Sequence, residues 1–268
     1  MNADEVTQRH RAMWAAGDYP DIARTIEEVS AVAVSAVGVA AGETLLDVAT
    51  GTGNAALAAA RLGARVTGLD LTPELLETAR ERAAAEGLHI EFHEGDAAEL
   101  PYPDDSFDRV VSVFGAMFAP DQRHTAAQLL RAVRREGTVA VTAWTPEGLN
   151  GRLLEVIARH LPPPPEGFEP PGLWGVEDHV RELFSDAPDV RFERRRAVDG
   201  VRAESTEAWL DYVERVLGPV VLAKQALEPQ DRWTPVREEL RELYESFNEA
   251  SDGSLSAQPE YLLTVARC

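Results

Sequence analysis

Two glycines and two acids stand where a chain can grip a nucleoside. Gly51 and Gly53 belong to Ala49-Thr50-Gly51-Thr52-Gly53-Asn54, directly after the apolar run Leu45-Leu46-Asp47-Val48. Glycines in such a turn let the backbone approach a ligand closely. The Ala-rich stretch 55–62 that follows aims a helix N-terminus at it. Asp70 ends the next apolar run and lies 19 positions after Gly51. An acid at that distance reaches the hydroxyl pair of a ribose, and its carboxylate can accept from both hydroxyls. The pattern reads as a site for a nucleoside-containing cofactor.

The turn alone does not say which cofactor. Gly51-Thr-Gly53-Asn-Ala-Ala56 also fits the dinucleotide fingerprint, so a nicotinamide-dependent oxidoreductase is a competing reading. Two features bear on the choice. Asp47 sits at the end of the first strand, ahead of the turn. Gly95-Asp96-Ala97 follows the third strand, and residues 100–108 lead into a fourth.

Residues 44–145 resemble class I S-adenosylmethionine-dependent methyltransferases, and among these the UbiE-like branch. The resemblance rests on Leu46-Asp-Val-Ala-Thr-Gly-Thr-Gly53, Gly68-Leu-Asp-Leu-Thr-Pro-Glu-Leu-Leu76, Glu94-Gly-Asp-Ala-Ala-Glu-Leu-Pro101 and Asp105-Ser-Phe-Asp108. Ala49 stands where the family turn has its first Gly, and Arg134-Arg-Glu-Gly137 where it usually has Arg-Pro-Gly-Gly. The resemblance implies S-adenosylmethionine as cofactor. It places Asp47 near the methionyl part, with Ala49, Thr50, Gly51, Gly53 and Asn54 forming the turn. Asp70 and Leu71 would serve the ribose, Asp96 and Ala97 the adenine, and Phe114 would lie beside the cofactor. Tyr19 would meet the amino-acid end, and Trp14 would fold over the site. Both also read as hydrophobic anchors of a helix. Met117 and Phe118 either line a substrate pocket or pack in the core.

A catalytic base is needed only if the acceptor must lose a proton. His124 is the candidate, because the N-terminus of a helix keeps imidazole neutral. His10, His89, His93, His160 and His179 show no metal-ligand spacing, so no metal site is expected. Two function classes stand beside methyl transfer to an oxygen, nitrogen or carbon of a small molecule, as in specialised metabolism. One is the oxidoreductase. The other is a protein that binds the cofactor without methyl transfer, as a regulator or a cyclase.

The elements that must position these residues alternate between strand and helix from residue 44 onward, which implies a parallel sheet with crossover helices. The expected class is α/β: a Rossmann-like seven-stranded, mostly parallel sheet with an antiparallel last strand, plus a helical cap. Strands are expected at 44–49, 65–70, 90–94, 108–114, 138–144, 190–198 and 261–267. Helices are expected at 4–16, 21–37, 121–134, 149–160, 176–184, 206–226 and 233–250. The domain reading is a helical lid over 1–40, a cofactor-binding core over 41–204 containing the Pro-rich loop 149–175, a cap insertion over 205–255, and a final strand over 256–268. Gly148, Gly151 and Gly172 are candidate hinges.

With 268 residues and 44% hydrophobic content the chain can bury a large core. Its net charge of −20 repels phosphate backbones and anionic membranes, so neither nucleic acid nor membrane is an expected partner. The single cysteine, Cys268, forms no intrachain disulfide, which fits a cytoplasmic protein, monomeric or homodimeric.

Overall fold

The computed structural model describes residues 11–163 and 168–268. The start of the expected helix 4–16, His10 and part of the Pro-rich loop lie outside the described residues.

Residues 11–15 are helical. Then come α1 (Tyr19–Ala23), α2 (Glu27–Val37), β1 (Thr44–Val48), α3 (Asn54–Arg61), β2 (Arg65–Asp70), α4 (Pro73–Ala85), β3 (Ile90–Glu94), β4 (Phe107–Val113), α5 (Gln122–Ala132) and β5 (Val133–Trp144). The second half holds α6 (Leu149–His160), α7 (Glu177–Leu183), β6 (Asp189–Arg196), β7 (Val201–Ala203), α8 (Thr206–Val216), α9 (Gly218–Leu227), α10 (Trp233–Ser246), β8 (Leu255–Ala257) and β9 (Glu260–Arg267).

Seven strands form one sheet in the order β3-β2-β1-β4-β5-β9-β6. β1 pairs in parallel with both β2 and β4, Leu46 standing opposite Thr67 on one side and Val110 on the other. β9 runs antiparallel to β5 and to β6, which leaves β6 parallel to the first five strands. The chain steps outward through β2 and β3, then returns to the other side of β1 with β4. That reversal opens a crevice at the carboxyl ends of β1 and β4, the place where open α/β sheets bind ligands. Leu45, Leu46, Val110 and Val111 are fully buried, as strands of a parallel sheet covered on both faces must be.

The helices begin where the sequence puts capping chemistry. Pro73 opens α4 at a position that needs no N–H donor. Thr72 holds the N-cap position but makes no side-chain cap bond, and its own N–H donates to Asp70 instead. Asp121 caps α5, accepting from the His124 backbone N–H at 2.8 Å.

Three departures from expectation have local causes. α5 stops at Ala132 and β5 begins at once, with Glu136 in a left-handed conformation (φ 65°) in place of the Gly-rich family turn. The helix expected over 206–226 breaks between Val216 and Gly218, because Pro219 has no N–H to continue it. β7 and β8 form an antiparallel pair that ties the two ends of the insertion together, and three-residue strands carry too little periodicity to read from sequence.

Two hydrophobic cores result. One lies on the sheet. The other joins α6, α8, α9, α10 and the short strand pair, with Trp209, Val213, Val236, Leu240 and Tyr244 among its members. No helix among the described residues is long and apolar enough to cross a membrane.

Candidate functional site

The crevice holds three adjoining spaces. The first is a polar cleft of about 710 Å3 including its open mouth, lined by Gly51, Asp70, Leu71, Asp96, Ala97 and Phe114 among others. The second is a small recess behind the turn, lined by Asp47, Thr50 and Asn54. The third is an apolar chamber of about 780 Å3 including its mouth, between the sheet edge and the cap. Tyr19 lines all three. Trp14, Phe114 and Phe118 line both the cleft and the chamber.

The turn is held from behind by two buried acids. One Asp70 carboxylate oxygen accepts from Gly51 N–H at 2.7 Å, the other from Thr72 N–H at 2.8 Å. Each oxygen keeps a lone pair for a ligand. Asp47 accepts from Thr50 Oγ1 at 2.6 Å and from Ala56 N–H at 2.9 Å, both on one oxygen, which leaves the other facing the recess. Burial pushes the Asp47 pKa up to about 7, against the pull of those two hydrogen bonds. Burial raises Asp70 as well. Burial raises the Tyr19 phenol too, with the charges of Asp70 and Asp47 adding to it.

Backbone strain concentrates here. Gly51 and Gly53 have φ of 55° and 85°, and a Cβ on Gly51 would press on the Tyr19 ring at 3.3 Å. Ala49 (φ 55°) and Phe114 (φ 54°) are left-handed although neither is glycine. They end the adjacent strands β1 and β4, and a Cβ on Gly115 would overlap that of Ala49. The left-handed geometry at 49 is why the family turn favours Gly there. Non-glycine residues held this way cost about 1–3 kcal/mol each and cluster at functional sites.

Asp47, Ala49, Thr50, Gly51, Asp70, Leu71, Asp96, Ala97 and Phe114 therefore come together as expected, with Tyr19, Trp14 and Phe118 across from them. Gly53 is the residue before α3, and Asn54 sits behind the turn. The Asn54 side chain donates to Ala23 O and accepts from Arg82, so it braces the turn against the N-terminal helices. Two candidate positions lie away from these spaces. Met117 is buried in the sheet core and lines none of the three spaces. The His124 side chain is exposed at the start of α5 and also lines none of them, so it is not placed to act as base. At Gly151, a candidate hinge, a Cβ would overlap Thr145 O, so the backbone packs closely there.

Several residues of the site escaped the sequence reading. Trp144, Asn150, Trp209 and Tyr244 line the chamber. Arg82 donates to Thr52 O at 2.8 Å and pairs with Glu27, pinning the turn from α4. Arg11 donates to Leu71 O at 2.9 Å and pairs with Glu94, which fastens the N-terminal segment across the cleft. Only the aromatic residues carried a signal, and they read equally as core.

Comparison with known proteins fits this geometry. A family described as "Methyltransferase domain" matches residues 45–137. An uncharacterized protein of Mycobacterium tuberculosis is 39% identical over 261 residues, covering 96% of this chain and 93% of its own. A demethylmenaquinone methyltransferase of Deinococcus radiodurans is 37% identical over 123 residues, 44% of this chain and 51% of its own. The crystal structure of a putative methyltransferase from Bacillus halodurans superposes with a TM-score of 0.58 at 19% identity, covering 92% of this chain and 98% of that one.

Proposed function

The chain belongs to the class I S-adenosylmethionine-dependent methyltransferases, and from that premise we propose that it methylates a small molecule held in the apolar chamber. The observation that carries this reading is the shared wall. Tyr19, Trp14, Phe114 and Phe118 line both the cleft and the chamber, so the two spaces adjoin at these rings.

The residues present fit the cofactor. Asp70 keeps acceptor capacity toward a ribose after binding Gly51 and Thr72. Asp96 and Ala97 line the far end of the cleft, where an adenine edge would lie. Asp47 and Tyr19 bound the recess, which suits a cationic amino-acid end. When bound, S-adenosylmethionine supplies an electrophilic methyl group. The chain's own work is to hold an acceptor in line with that methyl and to keep water out, and positioning of this kind supplies several kcal/mol. The N-terminal segment and the cap close the chamber together. A Cβ on Gly17 would lie 2.8 Å from Val216 O, and one on Gly218 would overlap Met13 O, so the two pieces touch backbone to backbone.

Among the described residues the chamber offers no His, Lys, Asp or Glu to take a proton. Its phenols, Tyr19 and Tyr244, have pKa values raised by burial and stay protonated at neutral pH. The acceptor therefore presents a nucleophile that needs no strong base from the protein.

The methyltransferase match, rather than the glycine turn, decides against the nicotinamide alternative. Calorimetry tests this directly. S-adenosylmethionine and S-adenosylhomocysteine should bind in the micromolar range, about −8 kcal/mol, and NADH should not compete. Release of S-adenosylhomocysteine with an added acceptor separates transfer from mere binding. Tight NADH binding without S-adenosylmethionine binding would sink the reading.

A further inference from the structure

We infer that the acceptor is an uncharged, predominantly apolar, ring-bearing small molecule, oriented by one amide, that of Asn150. The inference rests on the methyltransferase reading and names the substrate class of the same site.

The chamber lies between the sheet edge and the cap helices, lined by aromatic and aliphatic side chains from both, as ligand pockets usually are. No charged side chain lines it among the described residues. An ion entering it would lose its water without gaining a counter-charge, and that loss is large for a carboxylate, phosphate or ammonium. An anion is further opposed by the net charge of −20.

The walls favour flat rings. Phe114 and Trp144 stack with centroids 3.6 Å apart and planes 9° from parallel, on the sheet side. Trp209 and Tyr244 meet edge to face, 6.1 Å apart, on the cap side. Because Phe114 and Trp144 already cover each other, the sheet side offers less open ring face to a cation than a free aromatic cage would. Ring edges and the aliphatic side chains of Leu153, Leu154 and Val213 complete the lining.

Besides the Tyr19 and Tyr244 phenols, polar side chains in the chamber are few. Thr25 Oγ1 is already donating to Ile22 O at 2.8 Å. Asn150 differs. It is the second residue of α6, it lines the chamber, and its carboxamide makes no hydrogen bond to a described residue. A half-buried amide with donors and an acceptor to spare favours a ligand that answers it. Asn150 is thus the specificity-determining residue for a neutral hydroxyl, carbonyl or amine on the acceptor's ring.

Three near-isosteric competitors test the charge rule. The fluorescent reporter N-phenylnaphthylamine is added to the full chain with S-adenosylhomocysteine, then displaced by naphthylmethanol, naphthoate or naphthylmethylammonium. The neutral alcohol should displace it at concentrations roughly tenfold or more below either ion. Asn150→Lys should bring naphthoate level with the alcohol or ahead of it, and Asn150→Asp should do the same for the ammonium compound. Asn150→Leu should weaken the alcohol while leaving methylnaphthalene unchanged. An ion binding the unaltered protein as well as the alcohol overturns the inference. So do a reporter that does not bind and Asn150 variants that leave all rankings alone. S-adenosylhomocysteine affinity, measured by calorimetry on each protein, certifies the fold and keeps the two readings apart. If it is absent, the methyltransferase reading falls. If it is present without the charge ranking, the substrate class alone falls.

Discussion

The polar cleft and the apolar chamber meet at the same four rings, yet they are built by opposite means. The cleft is made of strand ends. Its polar groups are backbone amides and the Asp70 carboxylate, with the Asp47 carboxylate in the recess behind the turn, both held out of water. It also stores strain, in the left-handed Ala49 and Phe114. The chamber is made of helix faces and aromatic side chains, and no charged side chain lines it among the described residues. A cationic ligand group beside the buried carboxylates would offset the cost of burying them, whereas an acceptor in the chamber would add burial and a hydrogen bond to one neutral amide. The cleft should therefore respond to pH, and the chamber should not.

The largest effect expected is at Asp47. Burial holds its folded pKa at about 7, well above the ordinary aspartate value of about 4. Between those two values the native state holds a proton that the unfolded chain has released. Stability therefore falls as pH rises through this window, and the penalty is complete above about 7. Asn at 47 keeps an acceptor for Thr50 and Ala56 but carries no charge. Asp47→Asn should match the parent protein near pH 4 and exceed it by on the order of a few kcal/mol at pH 8, at about 1.4 kcal/mol per pKa unit. Denaturant melts of both proteins from pH 4 to 8 check this, and parallel curves would mean the carboxylate is not strained. Reporter binding in the chamber should show no such pH slope.

Asp70→Ala comes next. It removes the charged acceptor that would face the ribose in the proposed site, worth about 1.5–3 kcal/mol, or roughly 10- to 150-fold in S-adenosylmethionine affinity. N-phenylnaphthylamine should bind the variant as before, since Asp70 does not line the chamber. Loss of both ligands together would show that the two spaces are not independent.

The two regions also differ in how far the sequence reveals them. The cleft's residues lie at strand ends, so Gly51 and Asp70 could be named from spacing, and Asp47 and Asp96 from the family resemblance. The chamber draws on Trp14, Phe114, Trp144, Trp209 and Tyr244, which come together only through the cap fold. Tryptophans such as Trp209 show the helical spacing of any core residue and carry no mark of lining a cavity. His124 misled for a related reason. Its place at a helix N-terminus was right, but spacing does not say which way a side chain faces, and this one faces solvent.

Gly218→Ala probes the joint between the N-terminal segment and α9. The new methyl would overlap Met13 O, so the N-terminal segment must shift. Overpacking of this kind typically costs about 1–3 kcal/mol. Because Trp14 and Tyr19 lie on the displaced segment and line both spaces, cofactor and reporter affinities should fall together. A fall in only one would assign the segment to that space.

The smallest effect is expected at Arg11, which fastens the same segment to the other side of the cleft. Its guanidinium reaches Leu71 O and Glu94, but the two paired side chains remain 42% and 52% exposed. Exposed pairs of this kind contribute about 0–1 kcal/mol, because water screens the attraction and two long side chains lose freedom. Arg11→Ala should therefore weaken S-adenosylhomocysteine binding by less than about fivefold. The difference should vanish near 1 M salt, where the screening length drops to about 3 Å. Amide hydrogen exchange over residues 11–23 should quicken in the variant, and bound S-adenosylhomocysteine should slow it again. A loss well beyond tenfold that survives high salt would show that Arg11 touches the cofactor itself. The charged side of the site would then extend from the strand ends onto the lid, and the contrast between cleft and chamber would have to be redrawn along the N-terminal segment.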